Sequence, residues 1–219
     1  MATYHHVLIA QNDGSVIVWG DNGYGETGSG GNKKVPTLVN EITDVVQVST
    51  EQYTSFALTE DGTVWAWGSN THGDLGIGTF TPFVSNKTPV QTHNLENIIE
   101  ISNGQVHALA LKDDGSVWSW GYNEDGQLGN GTTVRSATPT QISGLSNVKH
   151  VYGLGYTSYA VKNDGTVWVW GENDLGELGI GNKTRKLSPV QIPTLSNVER
   201  LIVGSSSAHT IIAVKNDGT

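Results

Sequence analysis

Cysteine is absent from this 219-residue chain, which excludes disulfides, thiolate nucleophiles and zinc sites built on sulfur. Positive charge is scarce: 12 Lys and Arg stand against 21 Asp and Glu, a formal net charge of −9. Affinity for phosphate backbones and anionic lipid comes largely from Lys and Arg, so nucleic acid and membrane surfaces are not expected partners. No apolar run approaches the roughly 18 residues that a membrane helix needs. The opening MATYHHVLIAQNDG lacks the basic segment and long apolar core of a secretory signal. A cytoplasmic location is the default expectation.

Glycine is plentiful, at 28 residues, and it recurs in a fixed phrase. From Asp114 to Gly131 the chain reads DGSVWSWGYNEDGQLGNG. Asp114-Gly115 is expected to form a two-residue type I′ hairpin turn, with positive φ at both residues. Val117, Trp118 and Trp120 suit a strand. The glycines 126, 129 and 131, with Asn123 and Asn130, suit a tightly folded connection. The phrase returns at Asp13, Asp61 and Asp164 and breaks off after Asp217-Gly218-Thr219. Trp-Gly pairs end at Gly20, Gly68, Gly121 and Gly171, spaced by 48, 53 and 50 residues. A period near 50 that holds several short strands indicates the blades of a β-propeller.

Apolar runs and turns divide each unit into four strands. The inner strand covers Val45–Ser49, Ile98–Ser102, Val148–Tyr152 and Leu201–Val203. The second covers His5–Gln11, Tyr53–Thr59, Val106–Lys112, Tyr156–Lys162 and His209–Lys215. The Trp strand covers Ser15–Trp19, Thr63–Trp67, Ser116–Trp120 and Thr166–Trp170. A proline, which has no N–H to give, opens each outer strand: Pro36–Val39, Pro89–Gln91, Pro139–Gln141 and Pro189–Gln191. The units run approximately 1–44, 45–97, 98–147 and 148–197, with a partial unit at 198–219, and no helix is expected. Consecutive apolar residues in the second strand, such as Leu109-Ala110-Leu111, mean that both faces are buried. The Trp-x-Trp pairs put two indoles on one strand face, as packing between blades requires.

The phrase Trp-Gly-x-Asn-x-x-Gly-x-Leu-Gly-x-Gly resembles the repeat of the regulator-of-chromosome-condensation family. Gly121-Tyr122-Asn123-Glu124-Asp125-Gly126-Gln127-Leu128-Gly129-Asn130-Gly131 matches fully, and the units at Gly68 and Gly171 match closely. The unit at Gly20 departs, with Gly23 at a variable position and Thr27 in place of Leu. The family's His-x-x-Ala-Leu strand motif is intact only from His107 to Leu111. The resemblance covers essentially the whole chain and implies a propeller, usually of seven blades, serving many different partners.

The strands add up to four blades with one second strand duplicated, which cannot close a seven-bladed ring. The chain is a piece of a larger ring, a closed four-bladed ring, or half of an eight-bladed ring completed by a second copy. Blades of the resembled family are wedges suited to about seven per turn, so the homodimer strains its interfaces less than four-blade closure does.

Nothing in the sequence assembles an active site or a cofactor site. Gly23-Tyr24-Gly25-Glu26-Thr27-Gly28 spells a dinucleotide fingerprint and follows a strand, but Ser29-Gly30-Gly31-Asn32 follows instead of a helix. The seven histidines are scattered and suggest no metal cage. The expected function is therefore a non-enzymatic scaffold for protein–protein interaction. The alternatives are an exchange-factor-like regulator of a small GTPase, the role of the resembled family's founding member, and a carbohydrate-binding propeller.

Two features are candidates for the partner-binding surface. The turn between inner and second strands recurs once per blade and gathers Tyr4, His5, Gln52, Tyr53, Gln105, Tyr156 and His209 on one face. Tyr and His offer the amphipathic area common at interface hot spots, although such rings also serve to cap a channel mouth. The second feature is the longer connection from Gly68 to Pro89, which carries Phe80 and Phe83. Exposed, they form a rim patch; folded back, they pack on the outer edge.

Overall fold

The computed structural model describes residues 6–204 and 210–219, and of residues 82–84 the backbone only. It contains strands and turns and, among the described residues, no helix. Seventeen strands form five antiparallel sheets. The first sheet has three strands: β1 (His6–Ala10), β2 (Val16–Gly20) and β3 (Lys33–Val39). Three four-stranded blades follow. They comprise β4 (Val45–Glu51) to β7 (Thr81–Gln91), β8 (Ile98–Asn103) to β11 (Ser136–Gln141), and β12 (Val148–Leu154) to β15 (Lys186–Gln191). In these blades β5 is Thr54–Thr59, β6 Val64–Asn70, β9 His107–Lys112, β10 Val117–Gly121, β13 Thr157–Lys162 and β14 Val167–Gly171. A two-stranded sheet of β16 (Val198–Val203) and β17 (Ile211–Lys215) ends the chain. The inner, second, Trp and outer strands fall in the order expected, and the chain forms an all-β propeller segment.

The hairpin turns differ from the expected type I′. Gly14, Gly62, Gly115 and Gly165 have positive φ, but Asp13, Asp61, Asp114 and Asp164 do not. Gly14 N–H donates to the Gln11 carbonyl, and Gln11 N–H donates to the Ser15 carbonyl. This is a type I turn followed by a glycine in the left-handed region, which suits a three-residue loop. The aspartate is needed for its side chain instead. Asp13 and Asp114 Oδ1 accept the N–H of the residue two places on, at 3.0 and 2.8 Å, so the turn is fixed by an Asx-type bond. The outer strands also begin before their prolines, by three residues in β3, β11 and β15 and by eight in β7. The insertion in the second unit lengthens β7 to 11 residues instead of forming a free loop.

The core lies between blades rather than within one. Ala57 and Trp67 of the second blade pack with Leu8, Val16 and Val18 of the first. Ala110 and Trp120 of the third blade pack with Phe56, Leu58 and Val64 of the second, and Ala160 and Trp170 repeat this against Leu109, Leu111 and Val117. Both faces of each central second strand are thus covered, and the small alanines admit the neighbouring sheet. Where a neighbour is missing the same columns are bare: Ile9 is 40% exposed and Ile212 is 56% exposed. The terminal sheets remain separate, with β1 paired to β2 and β16 to β17.

Each indole also ties its blade to the loop of the preceding one. Trp67, Trp120 and Trp170 donate Nε1–H to the carbonyls of Glu26, Asp74 and Gln127 at 2.7, 2.9 and 2.8 Å. The Ser55 and Ser158 hydroxyls donate to the first and third of these carbonyls, but the matching residue in the second junction is Ala108. Among the described bonds the Asp74 carbonyl therefore depends on Trp120 alone. A buried carbonyl that loses its only donor costs about 1–3 kcal/mol. Trp120→Phe should accordingly lower the urea unfolding free energy more than Trp67→Phe or Trp170→Phe does, by about 1 kcal/mol or more; equal losses at the three positions would contradict this reading.

Candidate binding face

One end of the blades carries the turns between inner and second strands together with the start of each glycine-rich connection. The two are pinned to one another. Ser69, Tyr122 and Glu172 N–H donate to the carbonyls of Tyr53, Val106 and Tyr156 at 2.9, 2.9 and 3.1 Å. The close approach explains the glycine after each Trp: a Cβ on Gly68, Gly121 or Gly171 would sit 2.2–2.6 Å from those same carbonyl oxygens. Behind them a buried asparagine holds each connection. Asn22, Asn70, Asn123 and Asn173 accept the N–H five residues on, at 2.8–3.1 Å. Asn123 and Asn173 each donate Nδ2–H to two further loop carbonyls. In the first unit Thr27, which replaces the usual Leu, is buried and donates its hydroxyl to the Ser29 carbonyl.

The rings of this face make contact from blade to blade. Tyr24 and Tyr53 meet at a tilt of 48° with centroids 4.4 Å apart, His72 meets Tyr122 edge-on at 5.0 Å, and Tyr122 meets Tyr156 at 6.0 Å. Gln52 donates to the Tyr53 hydroxyl at 2.7 Å, and the Gln105 amide donates to Gln52. Of the residues proposed from sequence, Gln52, Tyr53, Gln105 and Tyr156 lie together here, all half-buried. Tyr4, His5 and His209 lie outside the described residues, as does the Phe83 side chain. Tyr24, His72 and Tyr122 belong to the same surface but fall in the connections: Tyr24 and His72 stand four residues after the glycine, where the other units carry Asp125 and Leu175, and Tyr122 stands one residue after it, so no aromatic column runs through all four units. Phe80 lies apart, 41% exposed, with the Arg135 guanidinium over its ring at 4.5 Å. It is both rim surface and packing.

The electrostatics of the face are set by burial. Tyr122 is pushed up to about 12 by burial and then by Glu124, and Tyr156 rises through burial and the nearby Glu172. Burial with the Arg135 charge lowers His72. Asp74, on the β6–β7 connection of the second blade where it meets the third, is only 4% exposed, and burial raises it to about 7. Its Oδ2 accepts the His72 N–H at 3.1 Å, while Oδ1 is buried with no partner. Elsewhere His107 is wholly buried and pushed down to about 3, with Nε2 2.8 Å from the Ser158 hydroxyl. Among the described residues no group of three or more His, Asp or Glu is placed to hold a metal ion, and no helix is long and apolar enough to cross a membrane.

Face-to-face blades of four antiparallel strands, with pinned loops at one end, define a propeller repeat array. The model of the RCC1-like domain matches residues 1–219, and the chain belongs to that family. Among curated proteins it is similar to the E3 ubiquitin-protein ligase HERC2 of Homo sapiens, 33% identical over 130 residues, covering 58% of this chain and 3% of that protein. It is also similar to the regulator of chromosome condensation of Mus musculus, 29% identical over 128 residues, covering 57% of this chain and 30% of that protein. Among solved structures, human WBSCR16 superposes with a TM-score of 0.83 at 26% identity, over 93% of this chain and 55% of that one. Prp20p of Saccharomyces cerevisiae superposes with a TM-score of 0.76 at 23% identity, over 87% of this chain and 49% of that one. The chain thus spans about half the length of these solved relatives and at most 30% of these two curated ones.

The raised Asp74 makes stability depend on pH in a defined sense. A carboxyl whose folded-state pKa lies above its unfolded value stabilises the fold below the unfolded pKa and loses that contribution as pH rises through the folded one. The window here runs from about 4 to about 7. Asp74→Asn has no such loss, so its unfolding free energy should gain on the wild type's between pH 4 and pH 8, by at most ~4 kcal/mol, and its melting temperature should gain with it. Parallel pH profiles would contradict the assignment.

Proposed function

We propose that this chain is a protein-binding scaffold whose partner docks on the face of Tyr24, Tyr53, His72, Tyr122 and Tyr156. The observation that carries this reading is the pair of ring contacts Tyr24–Tyr53 and His72–Tyr122–Tyr156, which together span four successive blades and are held on turns that the Trp-Gly loops fix. Rings of this kind supply large, rigid contact area at little entropic cost, as interface anchors do. The absence of a catalytic constellation in the sequence supports a non-enzymatic role. The ligase activity in the name of HERC2 does not carry over to a segment matching 3% of that protein.

A second reading is favoured by one specific likeness. The structure of Prp20p is described together with its binding properties to Gsp1p and histones, and the regulator of chromosome condensation is itself a relative. Regulation of a small GTPase is the corresponding proposal, and a nucleotide-release assay with candidate GTPases separates it from plain scaffolding. Glycan binding gains less support, because the rings of the face are turned to one another in tilted and edge-on pairs.

For assembly, the proposal is a homodimer that completes an eight-bladed ring. The bare isoleucines of both terminal sheets, Ile9 at one end and Ile202 and Ile212 at the other, support it, since exposing such faces to water is costly. Each terminal sheet also has an unpaired strand edge that invites another chain. The dimer displaces either β1 or β17, because both are second strands.

Two outcomes are expected. Captured partner should lose about 2 kcal/mol or more of affinity, roughly thirtyfold, with Tyr53→Ala or Tyr156→Ala. Glu60→Ala, at the opposite end of the blades, should leave it unchanged, and equal effects at both ends would overturn the assigned face. Light scattering at micromolar concentration should report twice the mass of one chain; a monodisperse monomer would refute the ring.

A further inference from the structure

The binding face holds a cavity of about 200 Å³ where the second and third blades meet. Its walls come from three successive units: Tyr24 from the first, Tyr53, Ser69, His72 and Asp74 from the second, and Gln105 from the third. Pockets for drug-sized ligands start near 300 Å³, so this space suits a single long side chain. The tilted pair Tyr24 and Tyr53 contributes to one part of the wall. Asp74, nearly inaccessible to solvent and with Oδ1 lacking a partner, contributes to another. Acidic side chains are almost never buried without a partner, so an unsatisfied carboxylate oxygen in the wall of a cavity calls for an explanation.

We propose that this cavity is a socket for a primary alkylammonium group, the side chain of a lysine presented by the partner. The inference rests on the scaffold reading and names the chemistry of its contact. Aromatic faces attract a cation, and a carboxylate in a poorly solvated wall attracts it further. The choice of lysine over arginine follows from Asp74 itself. Its Oδ2 is already occupied by the His72 N–H, which leaves one oxygen and not two. A guanidinium uses its fork on both oxygens of a carboxylate, whereas an ammonium is a point charge served by one. The overall charge of −9 draws cations to the molecule.

The other units of the array lack this combination. At the position of Asp74 the connections carry Glu26, Gln127 and Glu177, which like Asp74 accept the N–H two residues before them; Gln127 leaves its Nε2 buried without a partner, a donor where Asp74 leaves an acceptor. Aspartate is one methylene shorter than these. The titratable and charged groups around Asp74 are His72 and Arg135, with Tyr24 and Tyr53 across the cavity. Arg135 lies over the Phe80 ring and donates to the carbonyl of Thr71, a residue of the cavity wall, at 3.4 Å, and its charge acts on Asp74 without an ion pair among the described contacts. Because the empty site favours the neutral carboxyl, an ammonium that enters below neutral pH must release the Asp74 proton, and its affinity rises with pH.

The test titrates the 219-residue chain with Nα-acetyl-lysinamide, following the ring resonances of Tyr24, Tyr53 and His72 by NMR. The expected result is saturable binding that strengthens about tenfold from pH 6 to pH 8. The Nε-acetylated analogue should be inert, arginine amide at least fivefold weaker, and Asp74→Asn at least tenfold weaker. Because that variant is expected to be more stable than wild type at pH 8, its melting curve separates lost binding from lost fold. A second variant, Tyr24→Leu, should weaken binding while leaving the melting curve in place. Binding of the acetylated analogue equal to that of the free amine, or undiminished binding by Asp74→Asn, would overturn the socket. If a captured partner depends on Tyr53 and Tyr156 but not on Asp74, the socket fails and the scaffold stands. If the amine binds as described but no partner uses this face, the scaffold fails and the socket stands.

Discussion

The bond on which this architecture depends runs from an indole of one blade to a loop carbonyl of the blade before it. Trp67, Trp120 and Trp170 are fully buried, and each also spends its single polar group on the preceding unit. Burial of the ring supplies the apolar area, and the N–H supplies direction, so neighbouring blades are fixed in rotation as well as contact. The loop that accepts the bond must come very close to the ring. A Cβ on Gly28, Gly76 or Gly129 would lie 2.8–3.3 Å from the indole nitrogen, and each of these residues has positive φ. Glycine at those positions answers a packing demand and a backbone demand at once.

From that constraint the shape of the binding face follows. The connection must leave the Trp strand, return to the neighbouring indole and then reach the outer strand, all within some 16–21 residues. Asn22, Asn70, Asn123 and Asn173 make this possible by closing the connection on itself with side-chain bonds in place of secondary structure. The part of the connection not used for closure is left at the rim, where Tyr24, His72 and Tyr122 stand. Variable side chains on an over-determined backbone are what a binding surface needs, because little conformational entropy is lost when a partner arrives.

Much of this was legible in the sequence. The Trp-Gly phrase at a period near 50 located every Trp strand, and the apolar columns located the faces between blades. The turn chemistry was not legible: Asp-Gly suits both a two-residue and a three-residue hairpin, and the choice depends on where the flanking strands pair. The starts of the outer strands were hidden for a related reason, since Lys33-Lys34-Val35 and Ser136-Ala137-Thr138 carry no strand signature and pair only because the Trp strand offers an edge. The left-handed column of Asp44, Asn97, Asn147 and Asn197, with φ of 57–58°, was legible in principle, as asparagine and aspartate adopt that conformation most readily. It joins each Asp-Gly turn to the next inner strand, for the Gly14, Gly62, Gly115 and Gly165 carbonyls accept the N–H that follows it.

The candidate site was harder to read because it is made of departures from the repeat. Periodicity identifies residues that do the same thing in every unit, and those residues hold the scaffold. A site needs residues that differ between units, and nothing in a single column says which differences meet in space. Tyr24, Tyr53 and His72 come from different columns or different units, yet the rotation between blades brings them to one cavity with Asp74. Asp74 shows the distinction most clearly. Its carbonyl serves the repeat, accepting the Trp120 indole as Glu26 and Gln127 accept theirs. Its carboxyl, shorter than the Glu and Gln side chains at that position, leaves one oxygen unsatisfied. One residue thus carries the architecture in its backbone and an unmet electrostatic demand in its side chain, and that demand gives this otherwise regular array a chemically distinct point.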